Sequence, residues 1–195
     1  MVAGHATINA TDVWGKIWKL EVAEWIKCSI WQMEYGRLLT NFRKSKIQLG
    51  NPNCDRCREV VENVLHALRD CPVSIAIWLN IVPFQLRRSF FVENLQQWIN
   101  TNLVFKPENN CDIPWNTLWT ITCHWLWKWR NNEIHSDGFN RPADPWKYIR
   151  SAATRYDLAM TNLNNLHVAP KIQVSIRWLP PQVGKDVVCK LVVVA

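Results

Sequence analysis

Apolar residues recur along this chain at helical spacing in most segments, and alternate as in a strand only near its C-terminal end. Asp12 precedes Val13-Trp14-Gly15-Lys16-Ile17-Trp18, which reads as a short capped helix with Trp14, Ile17 and Trp18 on one face. A second helical pattern covers 25–34, where the apolar positions Ile26, Ile30 and Met33 stand at i, i+4 and i+7. Gly36 breaks it. Thr40 then caps a third segment, 41–48, which is basic through Arg43, Lys44 and Lys46. Gly50-Asn51-Pro52-Asn53 is a loop signal. A short helix is expected over 59–69 and a new one from Pro72, because Pro at a first helical position gives up an N–H that had no intrahelical partner there. Ile75, Ile77, Trp78 and Ile81 make that helix nearly all apolar, hence buried.

Residues 83–112 read as an irregular linker, interrupted by Pro83, Pro107 and the polar Glu108-Asn109-Asn110. From Pro114 the helical period returns: Trp115, Leu118, Trp119, Thr122, Leu126 and Trp129 fall on one face of a long amphipathic helix. That stripe is read as core. A base-stacking platform is the alternative, but such surfaces use a few exposed rings rather than a full stripe. Ser136-Asp137-Gly138 marks a turn, and Asp144-Pro145 opens a helix to about 164 with Trp146, Ile149, Tyr156, Met160 and Leu163 on its face. Beyond Pro170, Ile172, Val174 and Ile176 alternate as in a strand. The fold class expected is mainly α: a small helical module packed with a Trp-rich helical extension and ending in a short extended segment.

Composition sharpens this picture in three places. The 13 tryptophans imply an aromatic-rich core, since each brings a large apolar area and one N–H that needs a partner. Lys plus Arg is 23 against 16 for Asp plus Glu, so the net charge of +7 favours an anionic partner. No run approaches about 20 continuous apolar residues, and the N-terminus lacks a basic patch followed by an apolar stretch. No membrane span is expected, and the compartment expected is the nucleus or cytoplasm rather than the secretory route. In such a reducing setting seven cysteines, an odd number, point away from a disulfide framework. Cys28, Cys111, Cys123 and Cys189 stand alone and are read as buried thiols.

The other three cysteines are clustered. Cys54-Asp55-Arg56-Cys57 sets two thiols across a tight turn, and His66 and Cys71 complete C-x2-C-x8-H-x4-C. Zinc takes four such ligands at tetrahedral corners, and a set of four protein ligands leaves no position for a reacting water. The spacing therefore predicts one structural zinc. A redox C-x2-C would need a flanking βαβ pattern, which the sequence lacks. Glu62 is a further candidate oxygen, read as helping the 59–69 helix to start. Arg56, Arg58 and Arg69 are placed to offset thiolate charge or to meet phosphates.

With those residues in view, the chain resembles a known family. Lys27-Cys28-Ser29-Ile30-Trp31-Gln32-Met33-Glu34-Tyr35-Gly36-Arg37-Leu38-Leu39-Thr40-Asn41 is similar to the segment before the metal motif in reverse-transcriptase zinc-binding domains of plant LINE-type (non-LTR) retroelements. Glu62-Asn63-Val64-Leu65-His66-Ala67-Leu68-Arg69-Asp70-Cys71-Pro72, with Trp78 after it, resembles that family's E-x3-H-x4-C block. The likeness covers roughly 11–82 and implies Cys54, Cys57, His66 and Cys71 as ligands. More loosely, Trp127-Lys128-Trp129-Arg130-Asn131-Asn132 looks like a W-x-x-R-N segment of the spacer that follows. Arg177-Trp178-Leu179-Pro180-Pro181 with Lys190-Leu191 looks like the start of a truncated RNase H-like domain. Its first catalytic Asp would fall near Val194, and valine cannot ligate a metal.

The organisation expected is thus a zinc-binding module at 11–82, a linker at 83–112, a helical spacer at 113–166 and an extended tail at 171–195. RNase H chemistry needs several carboxylates around paired metal ions, so no catalysis is expected of this chain. The function expected is a structural zinc module that assists binding of RNA or DNA through Arg37, Arg43, Lys44, Lys46, Arg56 and Arg58. No small-molecule substrate is expected. A zinc-stabilised protein-interaction module, or a retroelement remnant without function, are the alternatives.

Overall fold

The computed structural model describes residues 10–107, 112–166, 175–177 and 192–194, with side chains within 13–107 and 112–162. The chain divides into two units, one through Met160 and one from Thr161. In the first, α1 (Ala10–Trp18), α2 (Glu24–Glu34), α6 (Leu95–Val104) and α7 (Trp115–His135) pack against one another. Between α2 and α6 lie α3 (Asn41–Lys46), a π-helical turn (His66–Asp70), α4 (Pro72–Trp78), a 3-10 turn (Phe84–Leu86) and α5 (Arg87–Phe90). The helix α8 (Pro145–Leu166) carries the chain into the second unit, where β1 (Ser175–Arg177) pairs antiparallel with β2 (Val192–Val194), Ile176 opposite Val193. The fold is mainly helical with a short extended C-terminal pair. No described helix is long and apolar enough to cross a membrane.

α7 supplies the centre of the core because its stripe is almost wholly inside. Trp115, Leu118, Trp119, Thr122, Leu126 and Trp129 are all buried, as core packing requires. Their neighbours form one aromatic cluster: Trp119 meets Trp98 at 5.2 Å, and Trp98 meets Phe90 at 5.5 Å and Trp78 at 6.1 Å, mostly edge to face. Such tilted arrangements match the ring quadrupoles and add to burial. Two polar handles in the cluster are met: Trp78 Nε1 donates to the Leu68 carbonyl at 2.7 Å and Trp115 Nε1 to Asn102 Oδ1 at 3.0 Å. Trp98 and Trp119 have no partner for Nε1 among the described residues.

Several expectations are corrected. The stretch 83–112 is not an irregular linker: it holds α5 and α6, and α6 buries Trp98, Ile99, Asn102 and Leu103. A capping box starts α6, with Asn94 Oδ1 accepting from Gln97 N at 3.0 Å and Gln97 Oε1 from Asn94 N at 3.2 Å. That reciprocal pair was legible as Asn-x-x-Gln and outweighs the flanking prolines. Helix 59–69 is also displaced. Asn53 and Val61 instead form a β-bridge, and the helical stretch runs over 64–70, with its π-turn at His66–Asp70. At α1 the buried residues are Val13 and Ile17, whereas Trp14 is exposed, and the helix begins at Ala10 rather than after Asp12. Cys123 is buried as expected of an apolar thiol, but Cys28 is exposed. Cys111 and Cys189, like Leu163 and the strand positions Ile172 and Val174, lie outside the described side chains.

Gly36 ends α2 as its position suggested. At φ +58° its amide donates to the Met33 carbonyl, and Arg37 N reaches back to the Gln32 carbonyl at 2.6 Å. This is the paired C-terminal closure that a left-handed residue permits. It turns the chain into α3, where Thr40 Oγ1 accepts from Arg43 N at 3.3 Å.

Candidate metal centre

Two local structures bring the four donors together. The first is the 53–61 hairpin: Cys54 N donates to the Val60 carbonyl at 2.9 Å, and Arg58 N to the Cys54 carbonyl at 2.8 Å. Arg58 takes φ +61°, a left-handed conformation that folds Cys57 back beside Cys54. The second is the π-turn, in which Cys71 N donates to the His66 carbonyl at 2.9 Å and Asn63 Oδ1 accepts from His66 N at 2.8 Å. Cys71 then becomes the N-cap residue of α4, with Pro72 in the first turn behind it.

The ligand atoms of Cys54, Cys57, His66 and Cys71 all lie within 4.8 Å of one another. Cys54 Sγ is 4.0 Å from Cys71 Sγ, and Cys57 Sγ is 3.3 Å from His66 Nε2. A tetrahedral zinc with ordinary bond lengths sets its sulfurs about 3.8 Å apart and sulfur to nitrogen about 3.6 Å apart. The donor set fits one such ion. Cys54, His66 and Cys71 are buried and Cys57 is half-buried, so four protein ligands would close the coordination shell.

The surrounding charges suit ligand chemistry. Burial lowers the His66 pKa and the Arg56 cation lowers it further, which keeps the imidazole neutral and free to bind metal. Burial raises the Cys57 thiol, but amide N–H groups of Glu59 and Val60 with the Cys54 and Cys71 thiols outweigh it and leave Cys57 lowered. Burial pushes Cys71 up to about 11, with Arg56 opposing. Arg56 is thus an inward-facing residue: its Nη2 donates to the Ala67 carbonyl at 2.7 Å.

Two sequence assignments beside the site are corrected. Arg69 does not face the thiols. It donates to Asp70, to the Phe90 carbonyl at 3.1 Å and to the Glu93 carbonyl at 2.6 Å, over the Trp98 ring. Glu62 neither starts a helix nor joins the donor cluster. It is fully buried and accepts from Asn41 N at 2.9 Å and from Arg130. Asn41 extends this network: its Oδ1 accepts from Arg130 Nη2 at 2.7 Å, and its Nδ2 donates to the Asn53 carbonyl at 2.8 Å and to Asp55 Oδ2 at 2.7 Å. Asn53 and Asp55 flank Cys54, so a chain of polar contacts, buried at Glu62 and Arg130 and reaching the surface at Asp55, runs from α7 to the metal loop. Sequence reasoning quoted both Glu62 and Arg130 but gave neither this role.

The cations expected to meet nucleic acid are spread over different surroundings. Arg37, Arg43, Lys46 and Arg58 are exposed and Lys44 half-buried. Arg43 Nη1 donates to the Gly36 carbonyl at 2.7 Å, and Lys46 lies over the Phe42 ring at 5.0 Å. Arg43 and Lys46 also border an open apolar cleft of about 580 Å³ with Phe42, Ile47, Val64, Leu65 and Leu95.

Residues 3–78 match the family described as zinc-binding in reverse transcriptase. This stretch is a zinc-binding domain of the reverse-transcriptase type. The domain's four donors are those whose geometry is given above. Across the chain as a whole, 181 residues align at 30% identity with a candidate ribonuclease H protein of Arabidopsis thaliana. That alignment takes in 90% of this chain but only 28% of the relative, so the chain spans little more than a quarter of that protein. The chain is therefore similar to that Arabidopsis thaliana protein through most of its own length. No solved structure matches the chain.

Proposed function

We propose that the chain is a structural zinc module of a LINE-type retroelement polyprotein, combining reverse transcriptase and ribonuclease H, and that it helps hold nucleic acid. The observation that carries the metal part is the Cys54–Cys57–His66–Cys71 cluster, whose four donors converge and leave no protein-free corner. One ion there would tie the 53–61 hairpin to the π-turn and α4. We assign the chain no catalytic step of its own, because a closed shell offers no open position and Val194 stands where the resemblance expects an acidic residue.

The nucleic-acid part rests on the cations of 37–58. Arg37, Arg43, Lys44, Lys46, Arg56 and Arg58 are its candidates, of which Arg43 and Arg56 also donate to a backbone carbonyl, of Gly36 and Ala67 respectively. Each phosphate neutralised releases counterions, adding about −0.9 to the salt slope for duplex or about −0.7 for single strands. Three or four contacts would give a slope of roughly −2 to −4 with little base preference. Binding of short RNA and DNA measured across salt tests this. Replacing Arg43, Lys44 and Lys46 by Ala should weaken binding uniformly and flatten the slope without releasing zinc. No affinity even at low salt would remove nucleic acid as the partner.

A second reading, a protein-interaction module, is favoured by the apolar cleft beside α3. It predicts that Ile47→Asp abolishes capture of a protein partner while RNA binding is unchanged.

A further inference from the structure

The buried faces of α1 and α2 lack aromatic rings, made by Val13 and Ile17 on one and Ile26, Lys27, Ile30 and Met33 on the other. Trp14, Trp18 and Trp31 of these helices, and Tyr35 at the C-cap of α2, stand off those faces. Trp14 is 46% exposed and Tyr35 46% exposed, Trp31 is half-buried between them, and Trp18 is half-buried beyond Trp14. Their rings are in continuous contact: Trp18 to Trp14 at 5.3 Å, Trp14 to Trp31 at 6.4 Å, and Trp31 to Tyr35 at 5.3 Å. The result is an aromatic strip crossing from α1 to the C-terminal end of α2.

That strip ends where the cations begin. Tyr35 is followed by Gly36, whose carbonyl holds the Arg43 guanidinium at 2.7 Å, and then by the exposed Arg37. The acid of this stretch, Glu34, is half-buried with one carboxylate oxygen enclosed, and burial raises its pKa. Exposed rings that run into guanidinium groups have a specific use. Every base offers a π-face for stacking when it is unpaired, and cations track the backbone beside it. A duplex hides those faces within its own stack. Apolar contact alone would not place arginine at the end of the strip.

We propose that the Trp14–Trp31–Tyr35 strip is a stacking platform for single-stranded nucleic acid, with Arg37 and Arg43 meeting the adjoining phosphates. This rests on the nucleic-acid reading of segment 37–58 and adds to it the strandedness of the ligand and the residues that read it.

The test uses the full zinc-loaded chain with a fluorescent oligouridylate, and the same strand paired to oligoadenylate. The single strand should bind more tightly than the duplex. The pair Trp14→Ala and Tyr35→Ala should weaken single-strand binding by roughly 5- to 150-fold for each stacked base lost, leaving the salt slope unchanged. Arg37→Ala with Arg43→Ala should instead flatten the slope. Because losing a large ring can disturb folding, Trp14→Phe with Tyr35→Phe provides the control: it keeps two π-faces and should restore most of the affinity. Unchanged binding in the Ala pair overturns the platform while leaving the basic segment as a nucleic-acid site. Equal or tighter duplex binding, or failure of the Phe pair to rescue, overturns it as well. Absence of binding to either probe at low salt removes both the platform and the reading beneath it.

Discussion

The Glu62 carboxylate and the Arg130 guanidinium form an ion pair inside the core, 68 residues apart in the chain, with Arg130 Nε donating to Glu62 Oε2 at 3.1 Å. Glu62 opens the E-x3-H-x4-C block and Arg130 belongs to the W-x-x-R-N segment of α7, so two separate sequence signatures meet as one contact. Asn41 and Asp55 carry the contact on to the loop that holds Cys54 and Cys57. Arg130→Met removes the cation and leaves a buried carboxylate unpaired. We expect a loss of about 3–5 kcal/mol in denaturant melts. If the network also orients the metal loop, zinc affinity should fall by about 10- to 100-fold in chelator competition. A lower melting point with unaltered zinc affinity would reduce the network to a packing role.

Metal removal is the second test. One zinc per chain is expected, and structural zinc in small modules contributes an apparent ~10–16 kcal/mol, against a whole-domain stability of about 5–15 kcal/mol. Cys57→Ser should lose the ion and the local fold across 50–82. Cys28→Ser, at an exposed position outside the cluster, should lose neither. Cys123 is a poorer control than its isolated place in the sequence suggests, since its thiol is buried in the core. Full zinc occupancy in Cys57→Ser, measured by elemental analysis, would remove Cys57 from the ligand set.

Trp119 tests the core. It is fully buried between α6 and α7 and meets Trp98 at 5.2 Å. Trp119→Ala should cost roughly 3–5 kcal/mol in a thermal or denaturant melt. A stacking surface on α7 would give the opposite pair of results, stability kept and nucleic-acid binding lost.

Much of this was legible in the sequence where the signal is local. The metal cluster could be read because zinc ligation needs particular side chains at short spacing, and the α7 stripe because helical period and burial coincide there. What was illegible depends on distant partners. Glu62 looks like a helix-start residue until Arg130 arrives from α7, and Arg69 looks like a counter-charge to the thiols until Phe90 and Glu93 offer it carbonyls. Helix α6 is masked in the sequence by Pro83 and Pro107 on either side, although Asn94 and Gln97 spell its capping box. Trp14 was assigned to the wrong face because Trp14, Ile17 and Trp18 share one helical stripe, and spacing alone does not say how far round that stripe the neighbouring helix reaches.

His124 supplies a pH test that does not involve the metal ligands. Its ring sits against Trp25 at 4.3 Å and Trp125 at 5.8 Å, and burial, helped by the Lys128 cation one turn on, lowers its pKa from 6.5 to about 4. The neutral ring is therefore the form that the fold accepts. Between pH 6.5 and about 4 the unfolded chain binds a proton there that the folded chain does not, so stability falls as the pH drops through that window and the term is constant below it. A shift of this size corresponds to about 2–3 kcal/mol after allowing for the ring's partial exposure. Acid also protonates the thiols that hold metal, so the wild type alone would mix two effects. The comparison with His124→Gln separates them, because zinc release is common to both proteins. The wild type should lose about 2–3 kcal/mol more than His124→Gln on going from pH 6.5 to pH 4, and the His124 ring should titrate near 4 by NMR. A ring that titrates near 6.5, with parallel stability curves for the two proteins, would mean that the Trp25 and Trp125 rings do not enclose it.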